Sequence, residues 1–171
     1  MSTIDGLLAE LEQEAETTRR VLERVPQAHL SWRPHAKSMS LGQLALHVAT
    51  VPGNVAELAA LDTVSEPPTF VQPEAATAAD LVPSLAASVA RARQALGGFD
   101  DARMAAMWRL QSGGRDILAM PRAAFVRAVM LNHWYHHRGQ LLVYLRLLDQ
   151  PVPSVYGPSA DENPFAAAAS A

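Results

Sequence analysis

The sequence predicts an all-α fold, a bundle of four helices, on three observations. Four stretches carry apolar residues at helical spacing, bounded by capping residues, glycines and prolines. The chain is 49% hydrophobic, and much of that excess is alanine, the strongest helix former. A proline-rich stretch between the second and third segments is long enough to be a crossover connection. A length of 171 residues suffices for one domain with a sizeable core. Residues 1–165 are expected to form that domain, and the alanine-rich end, 166–171, a frayed tail.

The first helix is expected over about residues 3–25. Ile4, Leu7, Leu8, Leu11, Ala15, Thr18, Val21, Leu22 and Val25 repeat at helical spacing. Ser2 with Asp5 suits its N-terminal cap, and Pro26 stops it. Glu10, Glu14, Arg20 and Arg24 on the other face read as solvated. Residues 26–39 read as a connector from which Leu30 and Trp32 pack back; His29 and His35 there read as ordinary surface residues. Ser40-Leu41-Gly42-Gln43 is a capping box. Leu44, His47, Val48, Val51, Val55 and Leu58 then mark a second helix over about 41–61, in which Pro52 predicts a kink or an irregular turn.

Residues 62–76, with Pro67, Pro68 and Pro73, read as a crossover without its own core, anchored by Phe70 and Val71. Thr77 with Asp80 starts a third helix over about 78–96, which buries Leu81, Leu85, Val89 and Leu96 and ends at Gly97-Gly98. Pro83 is tolerable there only near the first turn. Asp100 to Met107 reads as a short helix. Trp108 to Leu118 reads with equal weight as a small hairpin turning at Gly113-Gly114 or as a plain loop. Pro121 fits the first position of a fourth helix that runs to Leu148 and ends at Asp149-Gln150-Pro151. Residues 151–165, with four prolines, read as an extended tail docked through Val155 and Tyr156.

Composition excludes several functions. The net charge is −3 with no basic block, which removes electrostatic support for nucleic-acid binding. No apolar run is long enough to span a bilayer. Asp5, Glu10, Glu12 and Glu14 near the N-terminus argue against a signal peptide, so a cytoplasmic location is expected. There is no cysteine, which excludes disulfides, cysteine metal ligands and a cysteine nucleophile. A metal site must then be built from His, Asp, Glu and water.

The stretch Leu131 to Gln140 holds three of the six histidines. His133 and His137 are four residues apart, which puts both imidazoles on one helix face, about 6 Å apart along the axis. The apolar stripe Val126, Val129, Met130, Gln140, Leu141, Tyr144 and Leu148 places them near its centre and His136 about 90° away. A lone core histidine is usually a hydrogen-bonded packing residue. With His47 on the apolar face of the second helix, however, two helices offer three imidazoles. Structural zinc usually takes four protein ligands, whereas catalytic zinc keeps one position open. Three histidines therefore point to an open site that lowers the pKa of bound water to about 7 or holds a substrate thiolate. Asp161 and Glu162 are the remaining candidates for a fourth ligand. Trp134 stands where the zinc proteases need glutamate, so that class is disfavoured. A di-iron site is disfavoured by the absence of a Glu-x-x-His repeat.

Taken together, Trp32-Arg33-Pro34, Ser40-Leu41-Gly42-Gln43-Leu44-Ala45-Leu46-His47, Asn132 to Leu141 and the tail Pro153 to Glu162 resemble the DinB/YfiT-like superfamily over nearly the whole chain. The resemblance implies an up-down-down-up four-helix bundle with a divalent metal, zinc or nickel, at one end. It implies His47, His133 and His137 as ligands, and a homodimer. Relatives include thiol transferases that use bacillithiol, mycothiol or glutathione, a mycothiol-dependent maleylpyruvate isomerase and many stress proteins. Two functions are therefore expected. One is a metal-dependent enzyme acting on a small molecule, of thiol S-transferase or hydrolase type, with a low-molecular-weight thiol supplying the sulfur this chain lacks. The other is a non-catalytic, stress-related bundle with a structural metal or none. His136 and Tyr156 are candidates to orient substrate, although a surface imidazole and a packed aromatic are the preferred readings.

Overall fold

The computed structural model describes residues 2–69 and 71–166. The proposed anchor Phe70 and residues 167–171 of the tail expected over 166–171 lie outside the described residues. The long helices are α1 (Thr3–Leu22), α2 (Leu41–Ala60), α3 (Leu81–Leu96) and, at the end of the chain, α6 (His133–Leu147). A short α4 (Asp101–Ala105) follows α3. The last helix is continuous but made of three parts: α5 (Arg122–Phe125), a π-helical segment (Val126–Asn132) and α6. The fold is mostly helical, not purely so. β1 (Thr63–Val64), β2 (Met107–Ser112) and β3 (Arg115–Pro121) form a sheet in the order β1-β2-β3.

Local chemistry sets most of these boundaries. Ser2 and Asp5 cap α1 reciprocally, as Ser40 and Gln43 cap α2. Helix α1 ends three residues earlier than its apolar pattern, because Pro26 cannot supply a helical N–H; Val25 is buried all the same. A single 3₁₀ turn, Ala78–Asp80, leads into α3, so Pro83 falls in the first turn, where a missing N–H costs nothing. Its buried face is Leu81, Leu85, Ser88, Ala92 and Leu96; Val89 lies at the edge.

The stretch read as either hairpin or loop is a hairpin. Its strands pair antiparallel from Met107↔Pro121 to Ser112↔Arg115, and Gly113 and Gly114 take φ of +55° and +75°, the left-handed values a tight type I′ turn needs. The crossover adds β1 in parallel beside β2, which no sequence signal announced. Trp108 plants the hairpin on the helices, stacking on Phe125 at 3.8 Å and donating from Nε1 to the Leu58 carbonyl at 3.0 Å. Val71 does not anchor the crossover: it is 76% exposed, and the anchors are the buried Ala75 and the exposed Glu74, whose carboxylate accepts from Ser40 Oγ at 2.8 Å. Leu30 is buried, and Trp32 packs edge-on against Tyr144, as expected of the connector. In the tail Val155 packs on the core, while the Tyr156 ring stays largely exposed and only its hydroxyl docks.

Two corrections concern charge and phase. Glu14 is not solvated. It is buried on α1 and paired with the buried Arg138 of α6. Glu10 is half-screened too, held at 2.6 Å by both terminal nitrogens of Arg127 and at 2.8 Å by the Tyr135 hydroxyl. The second correction is the helical stripe. The buried line runs Phe125, Val126, Met130, Leu131, Trp134, Arg138, Leu141 and Leu145, while Gln140 is exposed. The π-helical segment holds more residues per turn than an α-helix, so the phase of everything after it is displaced. His133 and His137 consequently lie on the flank of the buried line, not at its centre.

Candidate metal centre

His47 lies two turns into α2, beyond a start fixed by the Ser40 cap, and is half-buried. His133 and His137 occupy the first two turns of α6, on the flank that meets α2. The expected trio is brought together. Each residue offers a ring nitrogen, and these atoms all lie within 4.8 Å of one another. His47 Nε2 and His133 Nε2 are 3.1 Å apart. Ring centroids are 5.4 Å apart for His47–His133, 4.6 Å for His47–His137 and 4.4 Å for His133–His137, all edge-to-face. Tetrahedral zinc with Zn–N near 2.05 Å needs nitrogens about 3.3 Å apart, so the donor set fits such an ion after small rotations of the rings.

Tautomer and protonation favour ligation. His137 Nδ1 sits 2.7 Å from Gln140 Oε1; as a carbonyl oxygen only accepts, Nδ1 carries the proton and Nε2 keeps its lone pair. Burial, and then the neighbouring His137 and His133, depress the His47 pKa to about 4. His133 is lowered by burial and by His137 and His136. Burial also lowers His137, against the raising effect of Gln140. All three are then neutral at pH 7, which metal ligation requires.

A pH dependence follows. Above about pH 6.5 the His47 imidazole is neutral in both folded and unfolded chains, and it contributes nothing to the slope. Between 6.5 and about 4 the unfolded chain takes up a proton that the folded site refuses, so the metal-free fold should lose stability as pH falls through that window. Urea midpoints of metal-free protein against pH check this. The His47→Gln variant should show a flatter profile, and an identical slope in both would contradict the assignment.

The other named candidates are placed elsewhere. His136 is exposed beside His137, with ring centroids 5.0 Å apart. The Tyr156 hydroxyl donates to Glu14 Oε2 at 3.0 Å and accepts from Arg138, on the side of α6 that faces α1. Asp161 binds Arg146 and the Val152 N–H, and Glu162 binds Arg20 and the Ser154 N–H, so neither joins the trio. His29 and His35 are exposed.

Sequence reasoning missed the supports around the trio. Trp134 is fully buried and donates from Nε1 to the Val48 carbonyl at 2.8 Å. Pro52 was the available signal, because a proline four residues after Val48 leaves that carbonyl without its helical donor.

Comparison with known proteins agrees with this architecture. The model of the DinB family matches residues 1–164. The chain is 27% identical over 170 residues to the "Uncharacterized protein YrdA" of Bacillus subtilis (strain 168), covering 94% of this chain and 92% of that protein. A crystal structure of a DinB-like protein from Bacillus cereus ATCC 10987 superposes with a TM-score of 0.69 at 25% identity, covering 91% of this chain and all of that one. The DinB-like protein YjoA of B. subtilis has the same fold, with a TM-score of 0.63 at 17% identity over 84% of this chain and 92% of its own.

Proposed function

The chain belongs to the DinB family, and from that premise we propose that it is a metal-dependent enzyme whose divalent ion is held by His47, His133 and His137. The observation that carries the reading is the convergence of three neutral imidazoles, from two helices remote in sequence, within 4.8 Å. Three protein donors leave a tetrahedral ion one position for an exogenous group. The reaction class we infer is thiol S-transfer or hydrolysis on a small molecule. When bound, a zinc or nickel ion supplies Lewis acidity that keeps a water or thiol deprotonated at neutral pH.

This chain's own residues bind and orient. Gln140 fixes the His137 tautomer, and half-burial keeps the rings dry enough to stay neutral. The chain has no cysteine, so a transferase here takes its sulfur from a small thiol in solution. Exposed His136 sits beside the ligands, where an incoming substrate would pass. Tyr156 belongs with the Arg138–Glu14 support of α6. A cytoplasmic homodimer, with the long helices in up-down-down-up order, completes the reading. Among the described residues no helix is long and apolar enough to cross a membrane.

The test is metal analysis of untagged wild type and His137→Ala, with melting temperatures, followed by a panel of thiols and electrophiles. Metal in the wild type, its loss in the variant and a melting shift of only a few degrees are expected. Unfolding on metal loss would instead favour a structural ion. Turnover retained in His47→Ala would overturn the mechanism.

A further inference from the structure

Helix α2 carries a defect one turn beyond His47. Pro52 has no N–H, so the Val48 carbonyl lacks its i+4 donor. Two remote side chains repair the break. On one side Trp134 Nε1 donates to the Val48 carbonyl at 2.8 Å, and both residues are fully buried. On the other, Ser88 Oγ of α3 accepts from the Gly53 N–H at 2.8 Å and donates to the Thr50 carbonyl at 3.1 Å. A Cβ at Gly53 would meet the Ser88 carbonyl at 2.8 Å, so α2 and α3 are in close backbone contact there.

The first repair is placed where it sets the trio. Val48 follows His47 and Trp134 follows His133, so the bond between helices lies one residue from a ligand on each side. The ligands themselves are 3.1 Å apart. A slip of α6 by one residue along α2 would move His133 by about 1.5 Å and turn it by about 100°. Metal ligation tolerates only about 0.2 Å. Apolar packing is non-directional and fixes axial register poorly. A buried directional bond to a carbonyl made available by proline fixes it well.

We infer that Trp134 is a positioning residue for the metal centre: its indole N–H, bound to the Val48 carbonyl that Pro52 leaves open, sets the register of α6 on α2 and thereby the distance between His47 and His133. The inference rests on the metal reading above and assigns α2's proline a role in ligand geometry.

The test separates register from stability. Zn²⁺ affinity is measured by competition titration on untagged protein at 25 °C, together with the melting temperature, for wild type, Trp134→Phe and the Trp134→Phe/Pro52→Ala pair. Trp134→Phe orphans the carbonyl and should lower both melting temperature and affinity, the latter at least tenfold. Adding Pro52→Ala restores an N–H to Val48 within α2, so melting temperature should recover in part while affinity stays low. If Trp134→Phe alone does not fold, the double variant carries the same measurement. Wild-type affinity in either folded variant, or affinity that recovers along with melting temperature, would overturn the register role and leave the metal site standing. A wild type that binds no Zn²⁺ would overturn both.

Discussion

Replacing Arg138 by methionine is expected to destabilise the fold by about 3–5 kcal/mol, because it strands a buried carboxylate. The Arg138 side chain is 1% exposed and that of Glu14 9%. The guanidinium donates to the Glu14 carboxylate, to its carbonyl at 3.2 Å, to Thr18 Oγ1 at 3.0 Å and to the Tyr156 hydroxyl. The network joins α1, α6 and the tail. Removing both charges together, as Glu14→Leu with Arg138→Met, should recover most of the loss, since an apolar pair of similar volume avoids the desolvation that ions incur. Urea unfolding of the two single variants and the pair measures the coupling. A single Arg138→Met variant within 1 kcal/mol of wild type would show that water relieves Glu14.

Arg122→Met is expected to cost about 3 kcal/mol or more, for a different reason. Arg122 is fully buried at the start of α5. Its Nε donates to the Ala59 carbonyl at 2.8 Å, one terminal nitrogen to Arg103 at 2.8 Å, and the other to Leu61 at 3.1 Å and to Asp62 Oδ1 at 2.6 Å. The last turn of α2 has carbonyls with no helical donor, and the guanidinium satisfies those of Ala59 and the capping Leu61 while complementing the negative end of the helix dipole. Each buried carbonyl left bare costs about 1–3 kcal/mol. Lysine should not rescue, since one ammonium cannot reproduce a planar fork that spans several acceptors. Asp62→Asn should cost under about 1 kcal/mol, because its side chain is 77% exposed. Urea midpoints of the three variants decide. A lysine variant as stable as wild type would reduce the role of Arg122 to its charge.

Neither arginine was singled out from the sequence, and the reason is general. Glu14 and Arg138 are 124 positions apart, and Ala59 and Arg122 are 63 apart; no local pattern reports such a pairing. Glu14 follows the spacing of solvated glutamates on its helix, and only the partner across the interface makes burial tolerable. The histidine trio was legible because its two halves are local: a four-residue spacing on one helix and an apolar-face position on another. The stripe used to orient it was nonetheless displaced, because a π-helical segment shifts phase without a signature in hydrophobic periodicity. The two-residue strand β1 lies below any periodicity signal.

By itself the sequence determined the capped starts of α1 and α2 and which imidazoles are available, while it left the Gly113-Gly114 stretch open between turn and loop. The helix starts depend on backbone chemistry within a few residues: a serine hydroxyl on a free N–H. The tertiary structure alone decided which charges are buried, which side chains mend the break at Pro52, and that His47 meets His133 and His137 on the flank of α6 and not in its core. Those outcomes are set by contacts between segments remote along the chain, whose free energies exist only once the helices have packed.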